Sequence, residues 1–147
     1  MAKLRRCGGF LRQSPRGFSL VELMVAVTLA CLLAGVAYPS FQSSASRARR
    51  VDAVAQLIRV QIAQEQFRAN NGGYSQHLAP LRGAGSSRSQ GGAYDISLSN
   101  VSAEGYLATA TARLDGPQAN DDECARLTVH ISGGFSERGP NHRCWNP

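Results

Sequence analysis

The sequence predicts an α+β protein in which a long amino-terminal helix packs on a small antiparallel sheet. Three observations predict this arrangement. An apolar run follows Gly17, an amphipathic segment continues to about Asn70, and the rest of the chain contains stretches in which apolar and polar residues alternate. The first two patterns favour a helix, and alternation with a period of two is typical of half-buried strands. Helix and antiparallel sheet that follow each other along a chain define the α+β class.

The first 17 residues are basic and carry no acidic group. Their five Lys and Arg residues account for most of the formal net charge of +6, because the chain from Phe18 onward has 11 basic and 10 acidic residues. Basic residues beside an apolar helix stay on the cytoplasmic side of a membrane, so the amino terminus is expected to lie inside. A basic arm for nucleic acid or anionic lipid is the alternative interpretation.

The segment 18–38 is long and apolar enough to cross a bilayer. It has 21 residues, mostly Leu, Val and Ala, and a hydrocarbon core of ~30 Å needs about 20 apolar residues in a helix. The alternative is a buried helix of a soluble protein, but a chain of 147 residues has little other mass to surround it. We therefore predict a membrane-spanning helix.

The helix is expected to continue as an amphipathic segment through 39–73. Pro39 removes one backbone hydrogen bond and predicts a kink. The run Asn70-Asn71-Gly72-Gly73 predicts the end of the helix, because Asn and Gly accept the left-handed conformation found there. Apolar residues at spacings of three and four predict one stripe that packs against the head; its members are Val51, Val54, Ala55, Ile58 and Ile62.

The region 74–147 is predicted to form an antiparallel β head. The alternating runs 94–98 and 127–132 predict two strands, and 106–112 is a softer candidate between them. Gly133-Gly134 predicts a hairpin turn into a further strand that starts at Phe135. The Gly- and Ser-rich segment 81–92 is expected to connect helix and sheet without regular structure.

The residues Gly17-Phe18-Ser19-Leu20-Val21-Glu22-Leu23 resemble the prepilin signature of type IV pilins and pseudopilins. The resemblance implies the type IV pilin fold and a leader, 1–17, that a prepilin peptidase removes after Gly17. It also implies methylation of the new amino terminus at Phe18 and a role for Glu22 in docking between subunits. Ser19 stands where threonine is common in the family.

Glu22 is the fifth residue counted from Phe18. A carboxylate near the centre of a membrane helix costs up to ~3 kcal/mol on insertion scales, so such groups usually have partners. The amine of Phe18 on a neighbouring subunit is the expected partner, and a headgroup-level glutamate without a partner is the alternative.

Further along the chain, the resemblance is closest to minor pilins of the PilE type. It rests on Arg50-Val51-Asp52-Ala53, on Asn71-Gly72-Gly73-Tyr74 and on the terminal Cys144-Trp145. It implies a single-pass inner-membrane protein with a periplasmic head that joins a pilus supporting adhesion, motility or DNA uptake. A type II secretion pseudopilin, a major pilin, a DNA-binding competence pilin and a membrane protein unrelated to filaments remain alternatives.

The cysteines differ in their expected environments. Cys7 belongs to the leader, and Cys31 lies in the apolar run, where a thiol behaves as a small hydrophobe. Cys124 and Cys144 lie beyond the membrane on the oxidising side, and they are predicted to form a disulfide. The neighbouring Trp145 either contacts a partner or packs over this bond.

No enzymatic motif is present in the sequence, and we predict no catalysis, no cofactor and no metal site. The acidic run 121–123 lacks the spaced oxygen ligands of a calcium loop. Arg47, Arg49 and Arg50 form a basic face whose expected surroundings are solvent, with phospholipid, an acidic neighbouring subunit or DNA as alternatives. DNA is the least favoured because the chain from Asn71 onward has six basic and seven acidic residues.

Overall fold

The computed structural model describes residues 17–146. The predicted leader, apart from Gly17, and with it Cys7, lies outside the described residues. The chain divides after Pro39 into two compact units. Along the chain the elements are α1 (Leu20–Asn71), β1 (Tyr94–Ser99), β2 (Gly105–Ala112), a short 3-10 helix (Asp122–Cys124), β3 (Arg126–Ser132), β4 (Phe135–Gly139) and α2 (His142–Trp145).

Helix α1 has 52 residues. At its start, the amide of Leu23 donates to the carbonyl of Ser19 at 3.1 Å. At its end, Gly72 has a positive φ of 77°, and its amide donates to the carbonyl of Arg68 at 2.8 Å. The predicted helix stop is therefore confirmed, because glycine closes the helix in the left-handed conformation. Pro39 lies inside α1, and the predicted kink stays a prediction.

The four strands form one antiparallel sheet in the order β1-β2-β3-β4. All four predicted strands are confirmed, including the softer one. Gly133 and Gly134 both have positive φ, at 55° and 85°, as a two-residue hairpin between twisted strands requires. Gly105 is needed for a different reason: a Cβ there would lie 1.9 Å from the carbonyl oxygen of Ile131.

The core lies between one face of the sheet and the second half of α1. The strands contribute alternate residues to it, which is the pattern of a sheet with one buried face. The buried apolar strand residues are Tyr94, Ile96, Tyr106, Ala108, Ala110, Ala112, Leu127, Val129 and Ile131.

The prediction of which face of α1 packs against the head is wrong. Val51, Ile58 and Ile62 are 53%, 39% and 54% exposed, and Val54 alone of the predicted stripe packs against the core while still partly exposed. The buried face instead consists of Ala53, Gln56, Leu57, Val60, Ala63 and Gln64. Successive residues of a helix point about 100° apart, because a turn contains 3.6 residues. The helix therefore carries two apolar faces, and the head covers the one that also contains two glutamines.

The segment 81–92 has no regular helix or strand beyond an isolated bridge between Arg88 and Asp95, as predicted. It is nevertheless fixed to α1 by polar side chains of the helix. The amide of Gln56 donates to the carbonyls of Ala84 and Ser86. The carboxylate of Asp52 accepts from the backbone amides of residues 90 and 91, at 3.2 and 2.7 Å.

Candidate functional site

The Gly17-Phe18 peptide bond lies ahead of α1 in non-helical chain. Phe18 is 82% exposed, and, apart from Gly17 and its two chain neighbours, no described residue lies within 4 Å of the position that a Cβ on Gly17 would occupy. A protease binds the chain around the cleaved bond in an extended conformation, so that bond must be accessible and lie outside a helix. The geometry is compatible with cleavage here, while cleavage itself and methylation of Phe18 stay predictions.

Glu22 lies in the first turn of α1. A negative charge near a helix amino terminus interacts favourably with the helix dipole. The carboxylate is exposed, and within residues 17–146 no side chain pairs with it. A partner from another chain is what the docking hypothesis requires, and that hypothesis stays a prediction.

The first half of α1 exposes its apolar side chains. Within residues 17–146, α1 is the one helix that is long and apolar enough to cross a membrane, with a mean hydropathy of 2.4 in its most apolar window of 18 residues. None of that window is buried. The hydroxyl of Thr28 donates to the carbonyl of Met24 at 2.8 Å, so its polar group is satisfied inside the helix.

The second half of α1 also exposes an apolar surface. We call Val51, Ile58 and Ile62 the outer stripe; they recur after seven and four residues and therefore share one helix face. The sequence analysis predicts a stripe with this spacing, but it predicts that the stripe packs against the head. Exposed apolar side chains that share one helix face are a feature of surfaces that another protein covers.

An ion pair fixes the connection between β2 and β3 to α1. Arg50 donates through Nε and Nη2 to the two carboxylate oxygens of Asp121, at 2.7 and 2.6 Å. This hydrogen bonding raises the pKa of Arg50 above its ordinary value. The amide of Gln118 also donates to Asp121. A bidentate pair of this kind fixes the geometry as well as contributing energy. The two residues are 71 positions apart, so no local sequence pattern predicts the pair.

The predicted disulfide is present between Cys124 and Cys144. It fixes α2, whose amino terminus is capped by the side chain of Asn141, which accepts from the amide of Cys144 at 3.0 Å. Trp145 is buried, and its Nε1 donates to the carbonyl of Gly139 at 2.8 Å. The structure thus supports packing of Trp145 in the head rather than an exposed contact role.

The three arginines that the sequence grouped on one face have different surroundings. Arg49 donates to the carbonyl of Pro117 at 3.4 Å, and Arg50 is held by Asp121. Arg47 is exposed and, among the described residues, forms no ion pair or hydrogen bond.

Arg143 on α2, which the sequence analysis did not single out, lies near two of these arginines. Together Arg47, Arg50, Arg143 and Asn146 line a cleft of about 350 Å³, which we call the arginine cleft.

A second cleft lies beside the segment that connects α1 to β1. It encloses about 400 Å³ and includes Arg59 from α1 and Arg88 from the connecting segment. Arg88 also pairs with Asp95 at 3.1 Å, and both of these side chains are more than half exposed. We call it the loop cleft; the rest of its lining is Gln56, Gly85, Ser86, Ser89, Gln90 and Gly92.

Comparison with known proteins gives two family matches and one relative. A family model described as "Type IV minor pilin ComP, DNA uptake sequence receptor" matches residues 39–128. A second, described as "Prokaryotic N-terminal methylation motif", matches residues 12–38. The type II secretion system core protein G of Klebsiella michiganensis is 30% identical over 63 residues, which are 43% of this chain and 44% of that protein. The chain thus spans less than half the length of this relative.

Proposed function

The chain belongs to the type IV minor pilin family of ComP, and we propose that it works as a structural subunit of a type IV pilus. One observation carries this proposal: an exposed apolar helix begins at Leu20, two residues after Phe18, and carries Glu22 in its first turn. In the proposed sequence of events, a prepilin peptidase removes residues 1–17 and methylates the amine of Phe18. The chain stays in the inner membrane through 18–38, with the head in the periplasm, until it enters the filament.

Assembly is proposed to use two parts of α1. Glu22 meets the amine of Phe18 on a neighbouring subunit, which compensates the cost of a carboxylate in an apolar surrounding. The outer stripe then extends the apolar contact between helices beyond the membrane segment. Such contacts between apolar helix faces are stabilised by removal of surface from water. This makes the protein a building unit rather than a catalyst.

The alternatives within the family are a pseudopilin and a major pilin. The relative from Klebsiella michiganensis is a secretion-system core protein, which fits the pseudopilin alternative. The disulfide between Cys124 and Cys144 favours a pilin, because the pseudopilins of this general family usually lack a bond at this place. Abundance in sheared filaments separates a minor from a major pilin.

Replacement of Glu22 tests the proposed docking role. We expect Glu22→Ala to insert in the membrane and lose its leader normally, and to be depleted at least tenfold from sheared filaments. Thr28→Ala is the matched control, since the Thr28 hydroxyl bonds only to its own helix. Intact mass of the membrane form reports processing, and immunoblots of sheared filaments report incorporation. Normal incorporation of Glu22→Ala contradicts docking, and a chain that keeps its leader in a host with the peptidase contradicts the pilin proposal.

Contact with DNA is a second candidate function. It is favoured by the description of the matching family as a DNA uptake sequence receptor and by the two arginines of the loop cleft. Against it stands the small net negative charge of the chain from Asn71 onward. We expect Arg59→Gln with Arg88→Gln to weaken binding of labelled duplex DNA and to reduce its salt dependence. Arg126→Gln, an exposed arginine outside the cleft, is the control.

A further inference from the structure

We propose that the arginine cleft binds the phosphate of one anionic phospholipid headgroup while the protein is in the membrane. The lining comes from two elements that lie far apart in the chain, with Arg47 and Arg50 on α1 and Arg143 and Asn146 beside the disulfide. The inference rests on the membrane insertion of 18–38 that the proposed function requires. It adds a ligand and a site on the head.

The charges in the cleft leave it positive. Arg50 is engaged by Asp121 through both carboxylate oxygens, so its guanidinium forms a fixed wall and its charge is balanced. Arg143 lies 3.6 Å from Glu123, but their side chains are 76% and 50% exposed, and an exposed pair of this kind contributes little. Arg47 is without an ion pair among the described residues. The cleft thus offers one unpaired and one weakly paired guanidinium.

The donor set matches a phosphate. Guanidinium groups present N–H donors in a planar fork that fits phosphate oxygens, and the amide of Asn146 adds a neutral donor beside them. The cleft of about 350 Å³ is too small for an extended polyanion. The exposed Asp122 and Glu123 directly precede Cys124, which is bonded to Cys144, the residue after Arg143. These carboxylates repel a second and third phosphate of a nucleic acid. The single phosphodiester of a phospholipid headgroup is therefore the better occupant.

Arg47 is close in the chain to the segment that the proposed function places in the membrane. Arg47 follows Tyr38, the last residue of the apolar segment, by nine residues. The polar headgroup region extends about 5 to 7 Å beyond the hydrocarbon core on each side, and the long arginine side chain can reach back toward it. A basic residue close to an anionic membrane surface contributes about 1 kcal/mol, equal to about a fivefold change in affinity.

Native mass spectrometry of the protein extracted in detergent from the membrane of a host with the peptidase tests the proposal. The protein is titrated with phosphatidylglycerol and, separately, with phosphatidylcholine of the same acyl chains. We expect selective retention of phosphatidylglycerol, reduced about fivefold by Arg47→Gln or Arg143→Gln and more by the double substitution. Arg126→Gln is the control for loss of one exposed arginine, and it should leave lipid retention unchanged. Equal retention of the two lipids, or retention that ignores the cleft substitutions, overturns the proposal.

Two further additions identify the source of the phosphate. Inorganic phosphate should give no retained adduct that depends on Arg47; such an adduct, with no preference for the lipid, overturns the assignment to a headgroup. A duplex oligonucleotide whose binding falls with the cleft substitutions while lipid binding does not assigns the cleft to DNA and overturns it as well. The same spectra give the mass of the chain, so a retained leader exposes failure of the proposed function. Loss of lipid selectivity in a correctly processed chain exposes failure of this inference alone.

Discussion

Gln64 is a fully buried amide on α1 that binds both backbone polar groups of one residue beyond the helix. Its Nε2 donates to the carbonyl of Ser75 at 2.8 Å, and its Oε1 accepts from the amide of the same residue at 2.9 Å. Both backbone groups of Ser75 are thereby satisfied in the interior, where an unpaired group costs about 1–3 kcal/mol. A glutamine in a helix is usually exposed, so the sequence pattern gives no sign that Gln64 belongs to the packed face.

Replacement of Gln64 by Leu should destabilise the head by about 2–4 kcal/mol. The leucine fills a similar volume, but it leaves the amide and carbonyl of Ser75 buried without a partner. Gln66→Leu is the matched control, since Gln66 is exposed two residues further along α1 and should change stability by less than about 0.5 kcal/mol. Urea unfolding followed by Trp145 fluorescence measures both. Equal effects of the two substitutions contradict the role given to the buried amide.

The contacts of Arg50 and Gln56 show why such residues were beyond sequence reasoning. Arg50 pairs with a residue 71 positions away, and Gln56 with carbonyls 28 and 30 positions away. A local pattern contains no information about partners at these distances. The disulfide was predictable over a separation of 20 because its two cysteines were the only ones expected on the oxidising side.

At the scale of elements, the strands were easier to predict than the packed face of the helix. β1, β2 and β3 each have one buried face, so their period of two identifies the inward side, and Gly133-Gly134 fixes the turn into the exposed strand β4. Helix α1 is apolar on two faces, and spacings of three and four residues describe both equally well. What distinguishes the faces is which one the sheet covers, and the helix sequence alone does not contain that information.

Leu57 and Ile58 are neighbours on α1 that separate the two faces experimentally. Leu57 is fully buried and Ile58 belongs to the outer stripe. Leu57→Ala should cost about 2–5 kcal/mol of stability through lost burial and a cavity, whereas Ile58→Ala should cost less than about 1 kcal/mol. We expect the outer stripe to matter instead for assembly: Ile58→Ala with Ile62→Ala should lower incorporation into sheared filaments although the subunit folds normally.

Urea unfolding and immunoblots of sheared filaments provide the two measurements. A large loss of stability in Ile58→Ala would mean that the outer stripe packs inside the subunit. Normal incorporation of the folded double variant would remove the outer stripe from the assembly contact.

At the scale of the molecule, three buried tyrosines connect the helix, the sheet and the disulfide region. Tyr94 donates from its hydroxyl to the carbonyl of Cys124 at 3.1 Å, and Tyr74 packs edge-on against Tyr106 with ring centroids 4.8 Å apart. Burial raises the pKa of Tyr94 to about 12 and, through the same loss of hydration, raises the pKa values of Tyr106 and Tyr74. The hydroxyl of Tyr106 has no hydrogen-bond partner among residues 17–146.

These pKa values predict that the head unfolds readily at alkaline pH. A tyrosine ionises near pH 10 when unfolded, and the fold holds Tyr94 neutral up to about pH 12. The unfolded state therefore releases protons first, so the stability from this group is complete below pH 10 and is lost as pH rises from 10 to 12. At pH 11 the loss from Tyr94 is roughly 1 kcal/mol.

Tyr106→Phe is the variant that isolates this effect. It removes one titrating group without breaking a hydrogen bond among the described residues, so stability at pH 7 should stay equal or rise by up to about 1 kcal/mol. Its fall in stability between pH 9 and pH 11 should be smaller than in the natural chain. Tyr94→Phe should show the same weaker pH dependence with a lower starting stability, because its bond to Cys124 is lost. Urea midpoints at pH 7, 9, 10 and 11 measure the stability of the natural chain and of the two variants. A fall in stability that is identical in all three proteins would show that these phenols do not control alkaline unfolding.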